Sequence, residues 1–123
     1  MFTRKIYVTG TASGDAVATL IVPSSTRLMM VQWAWKYDIN TDNAYVILEL
    51  SVASAKEIGT NNAQQCISET AVYSNFVTSG LAQGAINLVV PVNVPFKQGQ
   101  NLYLHALVSG TVGYSGGAVL WFK

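Results

Sequence analysis

One periodicity governs this chain: apolar and polar residues alternate through most of its length. In residues 28–37, Met29, Val31, Trp33, Trp35 and Tyr37 fall on one side of an extended backbone, with Gln32 and Lys36 on the other. Ala44, Val46, Leu48, Leu50 and Val52 share a face opposite Tyr45, Ile47, Glu49 and Ser51. Ile86, Leu88, Val90 and Val92 line up together, and Leu102, Leu104, Ala106 and Val108 oppose Asn101, Tyr103, His105 and Leu107. Successive side chains of a strand point to opposite faces, so this is the pattern of strands that each bury one face. No window of similar length has helical spacing. The best, VASAKEIGTNNAQQCI, is interrupted by Gly59 and two Asn, which leaves room for one short turn.

Turn-forming clusters separate the runs: GTASGD, PSST, DINTDN, GTNNAQ, TSGLAQG, KQGQ and SGTVGYSGG. They delimit eight or nine strands, at about 2–9, 15–22, 27–37, 44–53, 65–69, 71–77, 85–92, 100–109 and 117–123. The pair 65–69 and 71–77 also reads as one bent strand. Pro23, Pro91 and Pro95 fall at strand ends or edges, where a missing N–H costs least. With no linker, low-complexity tail or internal repeat, residues 1–123 form a single domain. The predicted fold is all-β, an antiparallel two-sheet β-sandwich. The jelly roll is the eight-stranded solution. An immunoglobulin-like sandwich is the rival, but the Cys…Trp…Cys signature of antibody domains is absent.

Charged residues make up 11% of the chain, against about 25% in a typical soluble domain. A surface this poor in charge predicts that part of it is covered by other subunits. The net charge of +1 and the scattering of seven basic residues argue against nucleic acid as a partner. No apolar run reaches the length of a membrane helix, and the N-terminus MFTRKIYVTG lacks the apolar stretch of a cleaved signal. Cys66 is the single cysteine, which rules out an intramolecular disulfide and fits intracellular synthesis.

One stretch mimics a metal site. In KYDINTDNAYVILEL, Asp38, Asn40 and Asp42 alternate and Glu49 follows eleven residues after Asp38, the acidic skeleton of an EF-hand loop. The flanks, however, read as strands. An extended segment from 44 would put Glu49 roughly 20 Å from Asp42, at about 3.3 Å per residue. Asp and Asn are favoured in turns because they bond nearby backbone and tolerate positive φ, so DINTDN reads as the connection of a long hairpin. No metal and no cofactor is expected. A weak surface ion on Asp38, Asn40 and Asp42 is the residual alternative.

The catalytic inventory is sparse. His105 is the only histidine and reads as a surface or interface residue. Cys66 beside Ile67 reads as a small core hydrophobe. A Ser-His-Asp triad lacks a G-x-S-x-G elbow, and Asp15, Asp38 and Asp42 all fall in turn stretches. Glu49, Glu57 and Glu69 have no spacing that pairs them for glycoside hydrolysis. The glycines of TASGD and SGTVGYSGG join strands rather than opening a helix, so they make no phosphate cradle. The chain is expected to be a non-enzyme.

The aromatic stripe Trp33, Trp35 and Tyr37 shares its face with Met29 and Val31, which places it in the intersheet core. Trp35 and Tyr37, nearest the loop, are the exceptions a sugar-binding reading would use. On the opposite parity, Tyr45, Ile47, Tyr103, His105 and Leu107 face outward, joined by Val119 or Trp121 from the last strand. Tyr45, Ile47, Tyr103, His105, Leu107 and Trp121 are therefore the candidate oligomer interface.

Two stretches, IVPSSTRLMMVQWAWKYDINTDNAYVILELSVAS and VPFKQGQNLYLHALVSG followed by GAVLWF, cover about half the chain. In them the chain resembles small structural proteins of tailed bacteriophage virions, of the capsid decoration or cement type. The resemblance implies a homotrimer, made in the host cytoplasm and located in the virion, that reinforces a capsid lattice. Its partners would be other copies of itself and the major capsid protein or another virion protein, with no nucleic acid and no membrane. The competing expectation is a lectin-like carbohydrate- or receptor-binding module built on Trp35, Tyr37 and DINTDN.

Overall fold

The structure, a computed structural model, describes residues 1–10, 16–41, 43–54, 66–74 and 82–123. The described residues form eight strands: β1 Phe2–Gly10, β2 Ala16–Ile21, β3 Thr26–Ile39, β4 Ala44–Ser51, β5 Cys66–Ser74, β6 Ala82–Phe96, β7 Asn101–Ser109 and β8 Val112–Phe122. They form two antiparallel four-stranded sheets, β1-β8-β3-β6 and β2-β7-β4-β5. The sheets nest the chain in four pairs. Phe2 lies opposite Phe122, Ala16 opposite Ala106, Ile39 opposite Ala82 and Ala44 opposite Ser74. Each pair is centred on the segment between Ser51 and Cys66, as though one long hairpin had been rolled into two sheets. This is the jelly roll.

The core has the parity expected. Val31, Trp33, Trp35 and Ile39 of β3, Val46, Leu48 and Leu50 of β4, and Leu102, Leu104 and Ala106 of β7 are all buried between the sheets. A bulge between Leu28 and Met30 shifts the β3 register against both neighbours. It turns the buried Leu28 into the core, in place of the half-buried Met29 expected there.

Three boundaries differ from the periodicity. Residues 66–74 are one strand, and the rest of the two predicted segments lies outside the described residues, as does most of the helical-turn candidate. β6 runs on through Pro91 and Pro95 to Phe96, which it can do because it is an edge strand and Pro91 sits opposite the β3 bulge. β8 starts at Val112 rather than 117, because the glycines read as loop lie inside the strand. Gly116, at φ 132°, shows why: a Cβ there would sit 2.5 Å from Ala34 O and from Trp35 Cα. At Gly116 and Gly117 the neighbouring backbones approach β8 too closely for a side chain to fit.

DINTDN is not a hairpin connection. β3 and β4 belong to different sheets, and the turn carries the chain across the sandwich. Alternation tells which face of a strand is buried but not which strand it pairs with. Asn43 takes the positive φ of 55° that favours Asn in such turns. Gly99, at φ 84°, sits inside the Lys97–Gln100 turn, which likewise crosses from one sheet to the other. No helix among the described residues is long and apolar enough to cross a membrane.

Candidate functional site

The acidic stretch comes apart as a metal site. Asp38 lies within β3, not in a turn; it pairs with Gln83 and Gly113 and accepts a hydrogen bond from Gln83 Nε2 at 3.4 Å. Asn40 N–H donates to Thr111 O at 2.9 Å, and Thr41 Oγ1 accepts from Thr111 N–H at 3.1 Å. The polar residues of the turn thus tie β3 to the turn before β8. Glu49 is in mid-strand on β4, fully buried, and Asp42 lies outside the described residues. Among the described residues no three His, Cys, Asp or Glu side chains gather as metal ligands would.

The aromatic stripe belongs to the core. Trp33 and Trp35 are buried, and each reaches across the sandwich from β3 to β5. Trp33 Nε1–H donates to Ser68 Oγ at 3.0 Å, and Trp35 Nε1–H donates to Thr70 Oγ1 at 2.9 Å. Ser68 and Thr70 are polar residues on the inner face of β5, and they satisfy the indole donors that burial would otherwise strand. Tyr37, at the end of the stripe, is half-buried, its hydroxyl packed over Gly84 of β6. A shallow cleft of about 510 Å³ opens beside it, walled by Thr9, Lys36, Asp38, Gln83 and Ser115.

Five of the six predicted interface residues share the outer face of the second sheet, in contiguous register. Ile47 lies opposite Leu107, Glu49 opposite His105, and Ser51 opposite Tyr103, with Tyr45 opposite Tyr73 on the β5 side. Contiguity is therefore as expected, but exposure is not. Ile47 and Leu107 are each only 7% exposed and His105 is 6% exposed. The chain leaving β4 turns back over this face: Ala53 N–H donates to Ser51 Oγ at 2.9 Å, and Ala53 O accepts from His105 Nε2 at 3.0 Å. His105 is thus a buried residue of the fold rather than a surface one, its ring stacked on Tyr103 at 6.0 Å. Tyr45 and Tyr103 stay half-exposed, and Tyr73, 6.0 Å from Tyr45 between ring centroids, is exposed.

Trp121 does not join that face. It is on β8 in the other sheet, where it pairs with Thr3 and Met30 and donates from Nε1 to Gln32 Oε1 at 3.2 Å. Val119 is beside it, in register with Lys5 and Gln32. The predicted interface is thus divided between the two outer faces of the sandwich, because β8 pairs only with β1 and β3.

The polar pairing around Glu49 was not visible from spacing. Glu49 and Glu69 are directly opposite each other on β4 and β5, and His105 is the other neighbour of Glu49 on β7. A fully buried carboxyl needs compensation within the fold. Glu49 is engaged rather than free, while Glu69 is exposed. The available signal was YVILEL itself. A strand apolar at both parities is covered on both faces.

No protein-family model matches the chain, and no curated protein does. Among solved structures, the chain is similar to a structure of infectious bursal disease virus, Gx strain, at 12% identity and a TM-score of 0.41, covering 97% of this chain and 32% of that one. A structure of the Gt strain of the same virus is similar at 14% identity and a TM-score of 0.35, covering 97% and 30%. The chain spans about a third of the length of each of these viral chains.

Proposed function

We propose that this chain is a non-enzymatic structural protein of a virion, of the capsid decoration type. It acts as a homotrimer on a shell built by a major capsid protein. The observation that carries the reading is a complete jelly roll on a chain with only 11% charged residues. Jelly rolls serve viral capsids, lectins and cupins alike, so function has to be argued from the surface. A cupin site needs a histidine-rich ligand set, and this chain has one histidine, buried against Ala53. Of the two rings a lectin-like reading would use, Trp35 is buried and bonded to Thr70, and Tyr37 is half-buried with its hydroxyl over Gly84.

The half-exposed aromatics offer surface for contacts between subunits. A cyclic trimer uses two different patches, each meeting the other patch of the next protomer. Tyr45 and Tyr103 lie on one outer face and Trp121 on the opposite one, so each protomer presents a patch on either side. Affinity for the shell would come from several weak contacts engaged at once on a repeated lattice. Light scattering coupled to size-exclusion chromatography tests the reading. A mass of three chains that persists on dilution is expected, and a monomer at every concentration overturns it.

A further inference from the structure

We infer that the free edge of β6 pairs, antiparallel and across a two-fold axis, with β6 of a second copy, linking one trimer to the next. This rests on the self-association proposed above and adds a contact that the trimer does not use. Four strands end the two sheets: β1, β6, β2 and β5. Sheet edges present unpaired N–H and C=O groups, and proteins blunt them with charge, proline or shortness. β1 carries exposed Arg4 and Lys5, β5 carries exposed Glu69, and β2 is only 6 residues long. β6 is 15 residues long and has no charged residue. Pro91 and Pro95 blunt its second half only, and among the described residues no strand pairs with the outer edge of residues 83–90.

Both sides of that segment are open. Leu88, which points between the sheets opposite Trp33, is 48% exposed, and Val89, on the outer side opposite Gln32, is 53% exposed. A second strand laid along the edge would satisfy the backbone groups and cover both side chains at once. The occupant follows from the charge pattern. A two-fold axis sets the strand antiparallel against its own sequence, so each charge on it would be present twice along one seam, and a charge near the axis would face its own copy. A partner of other chemistry imposes no such condition, and an uncharged edge in a strand this long meets the condition throughout.

Hydrogen exchange of the full chain, read strand by strand over a concentration series, tests the pairing. As the mass rises above three chains, amides in 83–90 should slow by at least about tenfold while those of β1 stay unchanged. Asn87→Lys with Val89→Lys places like charges on the edge at exposed positions. It should raise the concentration for that step by at least about tenfold while leaving the circular dichroism and the trimer intact. A trimer whose β6 amides exchange alike at all concentrations overturns the inference and leaves the proposed function standing. So does a double variant that associates as readily as the parent. A monomer throughout overturns both.

Discussion

β3 and β4 are each an inner strand of a four-stranded sheet, yet they are buried in different ways. On β3 the burial alternates as the sequence does, with Ala34 exposed between buried Trp33 and Trp35 and Lys36 exposed beyond them. On β4 every residue but Tyr45 is buried, Glu49 among them. The difference lies outside both strands. The outer face of the first sheet is open, whereas the outer face of the second is crossed by its own chain at Ala53. Apolar residues on an outward parity are thus ambiguous between a surface awaiting a partner and a face already covered. Ile47 and Leu107 are of the second kind, and Val119 is closer to the first.

Truncation on the two outer faces gives the largest expected contrast. Leu107→Ala should cost about 2–5 kcal/mol in urea unfolding, as for a closed core site. Val119→Ala, on the open face, should cost less than about 1 kcal/mol. Equal losses would erase the distinction drawn between the faces. Next in size, Thr70→Val removes the acceptor for Trp35 Nε1–H across a buried contact. It should cost about 1–3 kcal/mol with side-chain volume nearly kept; no loss would mean that the indole N–H finds another acceptor. The two glutamates sharpen the contrast within one cross-strand pair. Glu49→Gln, in the covered position, should cost about 1–3 kcal/mol. Glu69→Gln, exposed beside it, should change stability by about 0.5 kcal/mol or less. A Glu69 effect as large as that of Glu49 would show that the pair acts as a unit.

Much of the fold was legible, for definite reasons. The inner-face residues of β3, β4 and β7 could be assigned because the two-residue period is a property of the extended backbone itself. The turns at Asn43 and Gly99 were legible because Asn and Gly tolerate the positive φ that each adopts. The start of β8 was hidden, since Gly113, Gly116 and Gly117 look like loop residues until two neighbouring backbones are seen pressed against that strand. Of the candidate interface, the register of Ile47 with Leu107 and of Glu49 with His105 agreed with the outward parity expected. Which of those residues remain accessible did not follow from parity.

That the chain is a sandwich of strands with a Trp-rich core, poor in charge and carrying one histidine, was legible in the order of its residues. All of that follows from residue identity and a local period. Packing was needed to place β3 and β4 in different sheets, to turn Trp121 away from Tyr45 and Tyr103, and to cover His105. Those facts depend on which strands become neighbours across long stretches of chain. Alternation is the same for any pairing partner, so only the packed arrangement could distinguish them.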